Sequence, residues 1–177
     1  MSKKTKAGRY TPPKVRPDKI RLLGDPVLRA SNAPVEVFDS ELADLAHKLT
    51  ESLSASLGAA VAAPQIGVNL QVFVWAEGQI VCNPRIVSAS EEQWTFREGC
   101  LSMPDMWFSL DRPRFVEVHY QNIEGELRVA PQLEDFHARL FQHEIDHLDG
   151  ILLVDRLEGE VQEDALRRLS LKGLVEA

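Results

Sequence analysis

Two histidines four residues apart, with a glutamate beside the first, are the residues best suited to do chemistry in this chain: His143-Glu144-Ile145-Asp146-His147. On a helix this spacing puts both imidazoles on one face, a turn apart, so that they reach a single divalent ion at about 2.0–2.1 Å. Glu144 is then placed to take a proton from water at that ion rather than to ligate it. Gly150 ends the helix. A surface helix carrying two solvated histidines is the alternative for the same spacing. A catalytic site of this type uses three protein ligands and leaves one position open, so a third ligand must come from elsewhere. Cys100, in Arg97-Glu98-Gly99-Cys100-Leu101-Ser102, offers a thiolate in what reads as an irregular segment. It lies 43 residues before His143, and spacing alone does not pair the two.

Other segments must position these groups. Asp39 or Ser40 caps a helix over about residues 40–55, in which Leu42, Leu45, Ala46, Leu49 and Leu53 recur at spacings of three and four. His47 lies off that stripe and reads as solvated. Next, Gly58-Ala59-Ala60-Val61-Ala62-Ala63-Pro64-Gln65-Ile66-Gly67 has small side chains and one long polar group, Gln65. Such a run suits either an edge that admits an extended peptide beside one placed donor, or tight packing against a neighbouring element. Strands are expected at 70–75, at 79–82 and, after an Asn83-Pro84 break, at 85–87. Cys82 reads as a small buried hydrophobe. A hairpin joins 115–120 to 126–130 through Asn122-Ile123-Glu124-Gly125, with His119 on one face and no partner at ligand spacing. The helix bearing the histidine pair starts near Leu133 or Glu134, which puts Phe136 and Leu140 on the inner side with the pair and His137 on another face. A short terminal helix follows Asp155.

The 177 residues are 44% hydrophobic, enough for one domain with a true core. Formal net charge is −7, yet residues 1–19 carry seven cations and one Asp, +6, and the remainder therefore −13. A body this acidic argues against a broad or sequence-specific nucleic-acid face, while the basic, proline-containing arm of residues 1–19 could touch the ribosome or another acidic surface. The domain proper is expected over 20–177. Two cysteines form no disulfide framework and suit a reducing compartment. No apolar run of membrane-spanning length or secretory signal is read, so cytoplasm is the expected location, with an organelle stroma or matrix as the alternative.

Three separated stretches together resemble the peptide deformylase family: Gly58-x-x-x-Ala62-Ala63-Pro64-Gln65-Ile66-Gly67, Glu98-Gly99-Cys100-Leu101-Ser102 and Gln142-His143-Glu144-Ile145-Asp146-His147-Leu148-x-Gly150. Gly24-Asp25-Pro26, Asn83-Pro84, Arg112-Pro113 and the segment 150–157 are similar too, so the resemblance spans about residues 20–160. It implies a single α+β domain with antiparallel strands packed around a central metal-binding helix. It also implies metal ligands Cys100, His143 and His147, Glu144 as acid/base, and Gln65 with the Leu101 N–H facing the oxyanion. The implied reaction is metal-hydroxide hydrolysis of the formyl group of N-formylmethionyl peptides. Fe²⁺ is the implied ion, with Zn²⁺, Ni²⁺ or Co²⁺ as substitutes. The substrate cleft is expected at Gly58, Ala59, Ala60, Glu98 and Gly99, with Phe136 and Leu140 lining the methionine pocket. Trp107 and Phe108 either cover the second peptide residue or belong to core or surface. Ala60 departs from the family, which has glycine there; its methyl would narrow the cleft or strain the backbone, altering substrate preference. The rival functions are a metal-dependent peptidase or amidase of other specificity, and a non-catalytic peptide or ribosome binder.

Overall fold

The Asp39 carboxylate accepts hydrogen bonds from Glu41 N (2.9 Å) and Leu42 N (3.2 Å), which starts helix α1, Ser40–Ala55, where its capping residue predicts. The computed structural model describes residues 20–75 and 78–174. The basic arm expected over 1–19 lies outside the described residues. Seven strands follow α1 in two groups: β1 (Ala60–Ala62), β2 (Val72–Trp75), β3 (Gln79–Ala89), β4 (Gln93–Cys100), β5 (Met103–Pro113), β6 (Phe115–Gln121) and β7 (Leu127–Glu134). Five form an antiparallel sheet in the order β1-β2-β3-β6-β7, and β4 with β5 forms a separate antiparallel ribbon. Helix α2 (Asp135–Leu148) carries the histidine pair, and α3 (Gly159–Leu171) ends the described chain.

The alternation of strand side chains explains the layering. On β2, Val72 and Val74 pack with Leu42, Leu45 and Leu49 of α1, while Phe73 between them packs against Phe141 of α2, ring edge to face at 5.1 Å. The large sheet is thus held between α1 and α2, and α2 also buries Ala138, Ile145 and Leu148 against Val81, Val116 and Val118. A third core joins Met103, Met106, Phe108 and Leu110 of β5 to Leu152–Val154, Leu157 and the α3 residues Ala165 and Leu169. Helix α2 therefore runs through the middle of the molecule. This is the α+β arrangement expected from the sequence.

Three boundaries differ. Strand β3 is continuous through Asn83-Pro84, because Asn83 takes a left-handed φ of 51° and the register skips between Cys82 and Arg85. The Asn83 side chain then replaces ladder bonds, accepting from Val35 N (2.7 Å) and donating to Val35 O (2.8 Å) and Gln121 Oε1 (2.7 Å). Helix α2 begins at Asp135, after Leu133 and Glu134 have paired in β7 with Val116 and Phe115. The segment 97–100 is the end of β4 rather than irregular chain, with the irregularity confined to a register shift between Gly99 and Cys100. Cys82 is fully buried, as its apolar surroundings predict, and burial pushes its thiol up to about 12.

Candidate metal centre

Three ligand atoms, one each from Cys100, His143 and His147, lie within 4.8 Å of one another. Cys100 reaches the cluster because β4 ends there, at the bulge; the histidines reach it because α2 presents both on one side. The His rings stand at 80° with centroids 4.9 Å apart, and His147 Nε2 is 3.2 Å from Cys100 Sγ. His143 Nδ1 donates to Glu98 Oε1 at 2.6 Å. That bond fixes the ring and leaves Nε2 to face the cluster, where it becomes a metal ligand once its proton is lost. Burial works against a thiolate at Cys100, but the charges and hydrogen bonds of His147 and His143 outweigh it and hold the thiol well below its usual range. Burial likewise opposes charge on His143, and its bonds to Cys100 and Glu98 nevertheless hold it well above the ordinary histidine value. One thiolate and two oriented imidazoles fit a divalent transition metal.

Glu144 and Gln65 complete the centre. Glu144 is 4% exposed, and its Oε2 has no hydrogen-bond partner among the described residues. Burial, with the negative charges of Cys100 and Glu98, pushes its pKa up to about 7 against the opposing pull of His143 and His147. A carboxyl poised there exchanges protons near neutrality. Gln65 sits in the one-turn helix Ala63–Ile66 and is 2% exposed. Its Oε1 accepts from Ala62 N (2.9 Å), which turns Nε2 toward Ser102 Oγ (3.2 Å) and Cys100 Sγ (3.7 Å). Leu101 follows Cys100 in the turn between β4 and β5.

The expected cleft residues separate into two groups. Gly58, Ala59, Phe136 and Leu140 share a cavity of about 360 Å³. Its other walls, Leu53, Trp75 and His137, were not expected at the cleft from the sequence; His137, on another face as expected, is exposed while its ring edge meets the Trp75 ring. Gly58 lies against the Cys100 end of β4, since a Cβ there would sit 2.8 Å from Leu101 Cδ1. Ala60 does not border that cavity: it is buried beside Leu140 and Phe73, with no positive φ, so its methyl strains nothing. Glu98 is no cleft wall either. Both its oxygens are taken, by Arg112 Nε (2.9 Å) and Nη2 (2.8 Å), Arg139 Nη1 (2.8 Å) and His143 Nδ1. His143 and Arg112 hold it well below the usual carboxylate range although burial pulls the other way. Gly99 lies under the half-exposed Trp107 ring.

Sequence reasoning missed the support around the ligands. Arg112 also donates to Asp146 Oδ2 (2.8 Å), and Asp146 pairs with Arg156, so a chain of charge runs Arg139–Glu98–Arg112–Asp146 buried behind the metal helix and ends at the exposed Arg156. Arginine in a helix or strand pattern reads as exposed, and nothing local marks these as buried. The useful signal was Glu98 itself, a charge beside a ligand cysteine. His47 and His119 stay away from the centre, His47 exposed and His119 hydrogen-bonded to Glu117 at 2.8 Å.

The family model described as polypeptide deformylase matches residues 17–163 of this chain. The peptide deformylase of Thermotoga neapolitana is 41% identical over 143 residues, covering 79% of this chain and 87% of its own. Among solved structures, that of the Thermus thermophilus peptide deformylase superposes with a TM-score of 0.81 at 40% identity, over 90% of this chain and 98% of the other. A Synechococcus elongatus peptide deformylase in complex with actinonin gives 0.82 at 32% identity, over 97% and 96% of the two chains.

Proposed function

The chain belongs to the polypeptide deformylase family, and we propose that it removes the formyl group from N-formylmethionyl peptides through Cys100, His143, His147, Glu144 and Gln65, giving formate and a free amino terminus. The observation that carries this reading is the convergence of three ligand atoms within 4.8 Å beside a buried carboxyl and a buried amide donor. The chemistry a divalent ion supplies there when bound is Lewis acidity, which polarises a carbonyl and makes water a stronger acid. Glu144, with its pKa near neutrality, accepts the proton of the attacking water at a carboxylate oxygen and returns it to the leaving nitrogen. The Gln65 Nε2 donor, held by Ala62 and Ser102, and the Leu101 N–H meet the oxygen on which charge develops; one such donor is worth about 3 kcal/mol. The cavity beside Gly58, Ala59, Phe136 and Leu140 receives the methionine side chain.

The ion we assign is Fe²⁺, as the family resemblance implies, with Zn²⁺, Ni²⁺ and Co²⁺ as substitutes that a thiolate and two imidazoles also accommodate. Metal analysis of protein purified without oxygen tests this assignment. Cytoplasm remains the proposed location, supported by the lack of a disulfide framework; no helix among the described residues is long and apolar enough to cross a membrane. A ribosome contact through the +6 arm is proposed on charge alone, and unchanged ribosome binding after deletion of residues 1–19 would remove it.

The reaction is tested by formate release from a formyl-Met tripeptide under anaerobic conditions with Fe²⁺-loaded protein, beside Glu144→Ala and an acetyl-Met tripeptide. Release is expected from wild type on the formyl substrate only, falling by at least about a hundredfold in the variant. Equal turnover of the acetyl peptide would point instead to a broader amidase.

A further inference from the structure

A second cavity, of about 290 Å³, lies where the C-terminal end of α2 meets the segment 29–32 and the residue before β2; Arg29, Ala30, Asn32, Gln71, Leu148 and Asp149 are among its walls. Local structure brings these groups together. Gln71 N donates to Ala33 O (2.8 Å). The left-handed Gly150 (φ 71°) lets the chain leaving α2 pass close to Arg29, where a Cβ would stand 3.2 Å from the Arg29 carbonyl oxygen. The Asn32 amide ties the segment to the helix: its Nδ2 donates to Leu148 O (2.8 Å) and His147 O (3.4 Å), carbonyls of the last turn. That commits the donor side of the amide to α2. The Oδ1 side has no partner among the described residues although Asn32 is only 5% exposed. A buried acceptor left unpaired carries a cost that a donor in the cavity removes.

We propose that this cavity binds a small alkylammonium ion, at Asn32 Oδ1 and the Asp149 carboxylate, a site that the deformylase reading does not use. The charges around the cavity decide the sign of the ligand. Arg29 is a wall, but its guanidinium is occupied by the Asp155 carboxylate and Gly150 O (3.3 Å). Arg156 is likewise held by Asp146. The exposed Asp149 carboxylate, by contrast, is hydrogen-bonded to no described group and meets Asp146, Arg156 and Arg85 only through space. Asp149 is also the C-cap of α2, where the helix dipole places partial negative charge. The open groups are thus a full negative charge, a helix C-terminus and a neutral acceptor, and together they call for a cation that carries N–H donors. A water at Asn32 Oδ1 would satisfy that atom and leave the charge uncompensated. Calcium takes six to eight oxygens at close range, whereas one carboxylate stands here. Ala30 and Leu148 offer an apolar wall to the carbon chain of an alkylammonium.

The test is a titration of the full, Zn²⁺-loaded, ¹⁵N-labelled chain with ethylammonium chloride, followed by NMR. Tetramethylammonium chloride at equal ionic strength is the control, because it carries the same charge and no N–H donor. Ethylammonium is expected to shift the Asn32 side-chain amide and the Leu148, Asp149 and Gly150 backbone amides saturably, with a Kd of roughly 1–10 mM. Tetramethylammonium should produce no saturable shift. Asp149→Asn, a change at an exposed side chain, should weaken ethylammonium binding about tenfold. Asn32→Leu should weaken it by a similar factor, and the Asp149 variant decides the matter if Asn32→Leu folds poorly. The site is overturned if ethylammonium gives no saturable shift, if tetramethylammonium acts equally well, or if Asp149→Asn leaves the affinity unchanged. Titrations with CaCl₂ and sodium phosphate complete the experiment: saturation of the same amides by either at lower concentration than by ethylammonium overturns the alkylammonium assignment, in favour of an inorganic cation or of an anion held by Arg29.

Discussion

Glu144 shows at the scale of one residue what a reactive carboxyl costs its fold. Its folded pKa of about 7 lies above the ordinary 4.5, so between those values the folded chain holds a proton that the unfolded chain has lost. Stability must then fall as pH rises through that window, by an amount on the order of 3 kcal/mol once both states are ionised. Glu144→Gln, which keeps the shape and removes the charge, should therefore raise the thermal midpoint of the metal-free protein at pH 8 and leave it nearly unchanged at pH 4.5. Melting curves at the two pH values decide the matter; equal shifts at both would mean that ionisation of Glu144 is not what burdens the fold. His143, Glu144 and His147 were legible in the sequence because one helical turn relates them. Cys100 was legible only through the resemblance, since the bulge at the end of β4 that delivers its sulfur leaves no periodic mark.

At the scale of elements, the decisive join is between the β4–β5 ribbon and α2, because the ligands are divided between them. Arg139 makes it: one side chain, 4% exposed, bonds Glu98 Oε2, Trp94 O and Leu110 O, and so ties both ribbon strands to the helix one turn before His143. Arg139→Met should destabilise the metal-loaded protein by on the order of 3 kcal/mol, since it strips a donor from a buried carboxylate. It should also weaken metal binding roughly ten- to hundredfold through Glu98 and His143. Urea titration and metal competition measure the two effects, and a loss of stability with unaltered metal affinity would confine Arg139 to packing. Helix α1 could be read from its leucine spacing and its Asp39 cap, because both signals are local. The Arg139–Glu98–Arg112 join could not: its partners lie 41 and 14 residues apart, and three buried charges contradict what composition predicts.

Across the whole molecule, the metal cluster spans two separately built parts, a sheet held between two helices and a ribbon packed on α3. A bound ion links them through Cys100 on one part and both histidines on the other. Ligand linkage then makes the ion a determinant of global stability, worth about 4 kcal/mol when its concentration is a thousandfold above Kd. Adding a chelator should lower the melting temperature of wild type by several degrees, and should leave Cys100→Ala, which starts from the lower value, nearly where it was. A chelator effect of equal size in that variant would mean that the stabilising ion sits elsewhere.

The two cysteines have opposite fates toward an alkylating reagent. Cys82, on β3, is sealed in the core that the sheet shares with α1, its thiol pushed up to about 12, whereas Cys100 is a partly accessible thiolate at the mouth of the centre. The folded chain consequently carries one addressable sulfur, and that sulfur is masked whenever a metal is ligated to it. Counting reactive thiols per chain, one or none, is therefore a direct titration of how many molecules in a preparation hold their ion.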